Sequence, residues 1–249
     1  MKSTYKEMLL ISLIVLCSCE KIVHIDLNTT NPKLVVDASY NFASLSRSVN
    51  YYENKQINET GAMVIISDNM GQIDTLREFS NGYYSTVTIK KIVDRTYFLN
   101  IITKDGSRYS SFSTLPVTVP IDTIFFQYDK PNYYKYGCKF KDPPNKANYY
   151  IVETFPHYKD RYVLDDKLTD GKEISITFKK SLFYNSMVTV YLRSIDKATY
   201  NFYKSLPVNG EDFDQFLSAP PANPVSNISN GALGCFSVNS QTSRTGIVK

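Results

Sequence analysis

The sequence has no tryptophan and only two histidines, His24 and His157, among its 249 residues. Histidine is the side chain that most often serves in acid–base catalysis and zinc binding near neutral pH. The sequence therefore offers few residues for either chemistry. The sequence also lacks a run of basic residues, and its formal net charge is only +4. Such a mild charge argues against nucleic acid as a partner.

Motifs of the common enzyme classes are missing as well. The sequence contains no G-x-S-x-G, H-E-x-x-H, P-loop or G-x-G-x-x-G pattern, and these patterns mark hydrolases, zinc proteases and nucleotide-binding enzymes. His157 could act as a base, but the sequence places no serine or acid beside it for catalysis, which favours a histidine in an exposed loop. We therefore predict a protein that is not an enzyme and has no cofactor.

No apolar run reaches the roughly 20 residues that a membrane-spanning helix needs. The longest one, Met8–Leu16, follows two lysines. A short apolar run behind basic residues is typical of a secretory signal peptide. The alternative is a buried N-terminal helix with two incidental cysteines, but the run has no repeating polar face to support it.

The apolar run ends in Leu16-Cys17-Ser18-Cys19, which resembles a bacterial lipobox. The resemblance implies cleavage before Cys19, a lipid on its sulfur and acylation of its new amino group. We therefore predict a signal peptide over residues 1–18 and a tether over residues 19–32. Acyl chains on Cys19 would anchor the protein stably to a membrane.

Tyrosine and phenylalanine are abundant, with 20 and 14 residues, and both favour the half-buried surfaces of β-sheets. Between residues 33 and 116, short segments of alternating apolar and polar residues are separated by turn residues. Tyr97–Thr103 and Ser107–Ser113, for example, flank Lys104-Asp105-Gly106, a strong hairpin signal. The pattern predicts an immunoglobulin- or transthyretin-like β-sandwich over residues 33–116.

A second β-rich region is predicted over residues 117–249. Pro116 and Pro120 mark the boundary, because prolines remove backbone donors and favour an extended crossing between domains. Alternation resumes beyond them, and we expect a fibronectin-III-like sandwich. Near residues 196–217 the apolar spacing becomes helical. The predicted fold class is therefore all-β, with two sandwiches and a small helical insertion in the second.

Two cysteines, Cys138 and Cys235, remain once the signal peptide and the lipid-bearing cysteine are set aside. An oxidising envelope would permit a disulfide between them. Their positions in apparent strands suit two buried free thiols equally well, so both alternatives stay open. Two distant cysteines and a lone histidine do not predict a metal site.

Acidic residues offer one further candidate for metal binding. Asp165-Asp166 and Asp170-Gly171 supply oxygen atoms that suit calcium, but their spacing does not fit the EF-hand loop. A solvated hairpin is the better interpretation of this segment. We therefore predict no metal.

The best candidate for a binding surface is a tyrosine-rich stretch, because eight of the 20 tyrosines lie between Tyr128 and Tyr162. Tyrosine combines an apolar face with a hydroxyl at low conformational cost, which suits recognition of peptides, glycans or proteins. Alternation assigns Tyr134 and Tyr136 to the core. The alternative for the other positions is ordinary packing and exposure. The candidate binding surface consists of Tyr133, His157, Tyr158, Arg161 and Tyr162.

Two tripeptides, Asp74-Thr75-Leu76 and Asp122-Thr123-Ile124, resemble the sequon for O-glycosylation of exported Bacteroidota proteins. The resemblance makes Thr75 and Thr123 candidate glycosylation sites. Patterns of three residues also arise by chance, and this alternative stays open.

Motifs in a characteristic order along the chain resemble those of one family. Together they resemble the Bacteroidota lipoprotein family labelled domain of unknown function 4249, over essentially the whole chain after the signal peptide. The resemblance implies an outer-membrane lipoprotein, often encoded near a TonB-dependent transporter, and it implies no catalytic residues. Cys235 departs from the pattern, which has an aromatic residue there. The motifs are the lipobox, Pro32–Asp37, Gly61–Gly71, Tyr97–Leu99, Asp142–Pro144, Asn148–Tyr150, Tyr200–Leu206 and Asn227–Phe236.

The first region by itself also resembles the transthyretin-like regulatory sandwiches of carboxypeptidases. The Gly61–Val64 opening, the Asp68–Gly71 turn and Asn81–Tyr84 carry this similarity. Such domains are generally scaffolds or interaction modules, and a shared fold is not evidence of a shared activity.

These observations lead to one main functional hypothesis. The chain is an outer-membrane-anchored lipoprotein that acts as a non-catalytic binding or accessory component, with a TonB-dependent transporter as the expected partner and an unknown ligand. Two alternatives stay open, a structural or adhesive surface protein and an envelope enzyme. The genes next to this one would discriminate between the three.

Overall fold

A computed structural model describes residues 31–49, 57–156, 161–206 and 224–249 of the chain. Within these ranges the chain forms sixteen β-strands and one α-helix. Eight strands precede the predicted boundary, and they are β1 (Leu34–Ser39), β2 (Phe42–Arg47), β3 (Ile57–Asn58), β4 (Met63–Asp68), β5 (Ile73–Ser80), β6 (Tyr83–Ser85), β7 (Thr96–Ile102) and β8 (Arg108–Thr114).

The remaining elements follow that boundary. They are β9 (Thr123–Lys130), β10 (Tyr133–Lys141), β11 (Tyr149–Phe155), β12 (Tyr162–Asp165), β13 (Glu173–Phe183), β14 (Met187–Ile195), α1 (Lys197–Ser205), β15 (Leu233–Phe236) and β16 (Ser240–Ile247). Several features named from the sequence lie outside the described residues, namely the signal peptide, Cys19 and most of the tether, His24, His157, Tyr158 and the part of the predicted helical insertion beyond residue 206.

The N-terminal half builds a sandwich around one core. On β7, Tyr97 and Leu99 are buried while Phe98 is exposed, as strict alternation requires. The strand order is β15-β1-β2-β6-β5-β4-β7-β8, with β3 paired to β2. β5 pairs with both β4 and β6. It therefore connects the layer that contains β15, β1, β2 and β6 to the layer that contains β4, β7 and β8. Strands from both ends of the order share one core, which includes Leu34, Leu45, Val64, Ile66, Tyr84 and Leu99.

The C-terminal half is a second sandwich with a three-stranded and a four-stranded sheet. Their orders are β13-β10-β9 and β12-β11-β14-β16. Tyr136 is fully buried between them, as alternation predicted, whereas Tyr134 is half-buried at the edge of the cluster. The prediction of an all-β, sandwich-like fold is confirmed. The core of this half includes Tyr136, Cys138, Phe140, Tyr150, Phe178 and Leu192.

The helix predicted after the last long strand is present as α1. It begins where Asp196 accepts a hydrogen bond from the Thr199 backbone N–H at 2.8 Å, an N-cap that satisfies one free donor of the first turn. The other Asp196 oxygen accepts hydrogen bonds from the Ser113 hydroxyl at 2.6 Å and the Thr114 backbone N–H at 3.2 Å. Asp196 therefore connects the helix to β8.

None of the helices among the described residues has the length and apolar character needed to cross a membrane.

The two halves are joined more closely than the sequence predicted. β15 lies beyond the predicted boundary at residue 117, yet it pairs in parallel with β1 and completes the N-terminal sheet. Ile228, Phe236 and Val238 accordingly belong to the N-terminal core. Pro32–Lys249 forms one compact unit, so the structure does not confirm a division into two sandwiches at residues 116 and 117.

The two cysteines are both free thiols in the structure, which favours the second alternative stated above. Cys138 lies on β10 in the C-terminal core, whereas Cys235 lies on β15 opposite Asp37 of the N-terminal sheet. Burial raises the pKa of each thiol to about 12. A thiol reacts as its thiolate, so both groups are expected to be inert in the folded protein.

We expect this inertness to be measurable in a chain that starts at Glu20. At pH 8, a thiol reagent should label neither Cys138 nor Cys235 in the folded protein, because burial keeps both protonated and inaccessible. After denaturation without reductant, two thiols should titrate. A count near zero before reduction and two afterwards would show that the two cysteines are bonded instead.

Candidate functional site

Tyr133 lies beside the tips of two turns at one end of the C-terminal sandwich. β9 and β10 form a hairpin, in whose turn Asn132 adopts a positive φ of 65°. The second turn connects β13 of the three-stranded sheet to β14 of the four-stranded sheet, and in it Asn185 has a φ of 64°. Asparagine tolerates this conformation better than most residues. The Tyr184 backbone N–H donates to the Asn132 carbonyl at 2.8 Å, so the two tips lie side by side.

Five aromatic side chains from these two turns and the strands beside them form what we call the aromatic patch. The Tyr133 and Phe183 rings meet edge to face, with centroids 5.5 Å apart. Tyr134 contacts the Tyr128 ring at 6.0 Å and the Tyr184 ring at 6.5 Å. Edge-to-face pairs of this kind add stability beyond the area they bury. The members of the patch are Tyr128, Tyr133, Tyr134, Phe183 and Tyr184.

Much of the aromatic patch faces solvent. Tyr128 is 67% exposed, Phe183 is 50% exposed, and Tyr184 is 46% exposed. The Lys130 ammonium lies 4.9 Å from the centroid of the Tyr133 ring, a cation–π contact that adds positive charge to the patch. Rigid, exposed aromatic rings with a basic neighbour are the chemistry that dominates binding energy at protein interfaces.

Tyr162 was named for the candidate binding surface, but the structure places it in a strand, which favours the alternative of packing. It is the first residue of β12, pairs with Val152, and is half-buried against the C-terminal core. Its ring packs 5.6 Å from the Phe178 ring, and its hydroxyl donates to the Thr177 carbonyl at 3.0 Å. Its role is therefore packing between the two sheets.

Arg161 is exposed, but its guanidinium has structural partners. Its Nε lies 2.5 Å from Glu153 Oε1, and Arg193 Nη2 lies 2.5 Å from Glu153 Oε2. Both guanidinium groups lie over the ring of Tyr203 on α1, at 5.2 and 5.6 Å. Arg161 thus helps to hold α1 against the four-stranded sheet. The candidate surface predicted from the sequence is accordingly divided, with Tyr133 in the aromatic patch and Arg161 elsewhere.

Three carboxylates converge at the opposite end of β10 and β11. One oxygen of each of Asp142, Asp166 and Asp170 lies within 4.8 Å of the others. Asp142 and Asp166 are buried, with 1% and 4% of their surfaces exposed. Asp142 accepts hydrogen bonds from the Tyr150 hydroxyl and, at 2.9 Å, from the Gly171 backbone N–H. Burial and the hydrogen bond to Asp142 raise the pKa of Tyr150 well above its ordinary value.

Backbone donors hold the other two carboxylates of this group. Asp166 accepts from the Asn148 N–H at 2.8 Å, and Asp170 accepts from the Asn145 N–H at 2.9 Å. Such oxygens could hold a hard cation such as calcium. The sequence pointed to Asp166 and Asp170 as possible ligands but not to Asp142, which lies 24 residues before Asp166 and joins them only in the folded chain. Asp165 instead accepts from the Tyr200 hydroxyl at 3.0 Å.

The two candidate glycosylation sites are both accessible. Thr75 is exposed on β5, and Thr123 is exposed at the first position of β9. Accessibility is required for modification but does not establish it, so glycosylation of both threonines stays a prediction.

Comparisons with known proteins give a structural similarity and a family. The chain is similar to a segment of two fibronectin type-III domains from chicken tenascin, at 14% sequence identity and a TM-score of 0.25. The similarity covers 88% of this chain and 99% of that segment. No curated protein matches the sequence. The model of one family, described as "Domain of unknown function (DUF4249)", matches residues 20–245. Since this match spans most of the sequence, the chain belongs to the DUF4249 family.

Proposed function

We propose that this protein is a lipid-anchored, non-catalytic binding component of the outer membrane that works beside a TonB-dependent transporter. Two features of the sequence support the location. The segment Leu16–Cys19 resembles a lipobox, and the resemblance to the family implies an outer-membrane lipoprotein. The transporter as partner rests on the gene neighbourhood that the same resemblance implies.

The observation that carries the binding role is the aromatic patch. Its rings lie beside two turns that are joined by a backbone hydrogen bond, so the patch is largely formed before any partner arrives. Such preorganisation lowers the entropy lost on binding. A lipid anchor would add to this effect, because confinement to the membrane raises the effective concentration of the patch near an integral partner.

A pulldown from native membranes in mild detergent tests this proposal. The unmodified protein should recover the transporter barrel encoded beside it. Replacing Tyr133 and Phe183 together by alanine should lower the recovery at least about tenfold, since central aromatic residues each contribute on the order of 1–2 kcal/mol at interfaces. Phe79→Ala is a matched control, because Phe79 is 63% exposed but lies in the N-terminal half.

The outcomes separate the proposal from the choice of surface. Failure to recover any barrel, with the lipoprotein intact and abundant, would contradict the transporter partnership and favour a structural or adhesive role. Full recovery with the Tyr133→Ala and Phe183→Ala variant would show that another surface makes the contact. Equal losses with Phe79→Ala would indicate a nonspecific effect of removing exposed rings.

A further inference from the structure

An open groove of about 530 Å³ runs along the outer face of the N-terminal half, and its volume lies within the range of sites for small ligands. Its floor is the solvent side of β7 and β8, where the pairing sets Phe98 opposite Phe112 and Asn100 opposite Ser110. The segment 226–229 forms its wall. The groove belongs to a different half from the aromatic patch.

The wall of the groove is fixed in place by hydrogen bonds. The Ser229 N–H donates to the Ser110 carbonyl at 2.8 Å, and the Ser110 N–H donates to the Ser229 hydroxyl at 2.7 Å. The Ser111 hydroxyl donates to the Asn227 carbonyl at 2.7 Å. Ile228 is buried in the N-terminal core. Because both wall and floor are held by the fold, the groove is preorganised.

Two phenyl rings in the groove are open to solvent. Phe98 is 38% exposed and Phe112 is 63% exposed, and they occupy directly paired positions on adjacent strands. Neither ring packs against another aromatic ring among the residues that the structure describes. Both rings are therefore partly accessible to a ligand.

The polar groups of the groove are uncharged. Its described lining residues are serines, asparagines and apolar residues, with no acid or base among them. The Asn227 amide is used within the fold, since it donates to the Phe236 carbonyl at 2.7 Å and accepts from its N–H at 2.9 Å. Within the described part of the chain, the side chains of Asn100 and Ser67 make no hydrogen bond. They remain available to a ligand.

We propose that this groove binds a neutral carbohydrate. A sugar ring presents a face of C–H groups, which suits a phenyl ring, and a rim of hydroxyls, which suits an amide that can both donate and accept. A charged ligand would lose hydration here without gaining a counter-charge. The site extends the proposed function with a ligand, but it does not depend on the transporter partner.

Binding to a glycan array tests the assignment. The probe is the mature lipoprotein, fluorescently labelled and held in a polyoxyethylene detergent, since a sugar-based detergent would compete for the groove. Neutral oligosaccharides should give signal and acidic ones should not. Phe98→Ala with Phe112→Ala should lower the signal at least tenfold, and Asn100→Ala, at an exposed position that contributes nothing to the core, should lower it several-fold.

The aromatic patch supplies the matched control. The Tyr133→Ala and Phe183→Ala variant also removes two exposed rings, yet it should keep full glycan binding, while the groove variants should keep full recovery of the barrel. The proposal is overturned if no neutral glycan on the array binds, if acidic glycans bind equally well, or if Asn100→Ala and the double phenylalanine variant both bind like the unmodified protein.

Discussion

Replacing Cys19 by serine should move the protein from the membrane fraction to the aqueous fraction. If Leu16–Cys19 is a lipobox, the Cys19 sulfur carries the diacylglycerol and its amino group carries a further acyl chain. Each buried methylene contributes about 0.8 kcal/mol to membrane binding, so several chains anchor a protein firmly and their loss abolishes the anchor. Metabolic labelling with a palmitate analogue should mark the unmodified protein and leave Cys19→Ser unlabelled.

Cys17→Ser provides the matched control for this experiment. Cys17 lies two residues away and before the predicted cut, so its side chain leaves with the signal peptide. That variant should be labelled and should partition like the unmodified protein. If Cys19→Ser stays in the membrane fraction as fully as Cys17→Ser does, the protein is not a lipoprotein of this kind.

The hairpins of the fold could be predicted from the sequence because their signals are local. β7 and β8 alternate with a period of two, and Lys104-Asp105-Gly106 supplies the turn between them, in which Gly106 has a positive φ of 82°. The same reasoning located α1, whose apolar residues recur with helical spacing and whose N-cap is an aspartate.

Pairings between distant segments could not be predicted in this way. β15 pairs with β1 although the two strands are about 200 residues apart in the sequence. No local sequence pattern predicts which distant strand will pair in parallel with β1. β16 was also missed, because Ser240–Ile247 is largely polar and lacks apolar alternation. The strand is held by its neighbours instead, because it pairs along its whole length with β14. Thr242 and Arg244 also donate to carbonyls of the crossing segment 119–122.

The candidate sites were missed in part for the same reason. Tyr133 could be selected by its composition and its place beside a turn, but its partner Phe183 lies 50 residues later and joins it only through the pairing of β10 with β13. The groove combines Phe98 and Phe112 of one hairpin with the segment 226–229. Tyr162 was assigned to the surface because its short strand carried no signal of its own.

Gly234→Ala should lower the free energy of unfolding by more than about 3 kcal/mol. Gly234 lies in β15, paired with Val36 of β1, and its φ of 101° is unfavourable for any residue with a side chain. A Cβ at this position would overlap the backbone carbonyl of Val36. The carbonyl belongs to the central part of β1 and cannot rotate away, so the substitution should separate β15 from the sheet.

Gly231→Ala isolates the contribution of that overlap. Gly231 also has a positive φ, of 70°, but a Cβ there would meet no atom within 4 Å. Its substitution should cost only the conformational strain, about 1–2 kcal/mol. Denaturant titrations followed by circular dichroism should therefore rank the unmodified protein first, Gly231→Ala second and Gly234→Ala last. Equal stability of the two variants would mean that the close parallel pairing of β15 with β1 contributes little, and that the N-terminal sandwich does not depend on this segment.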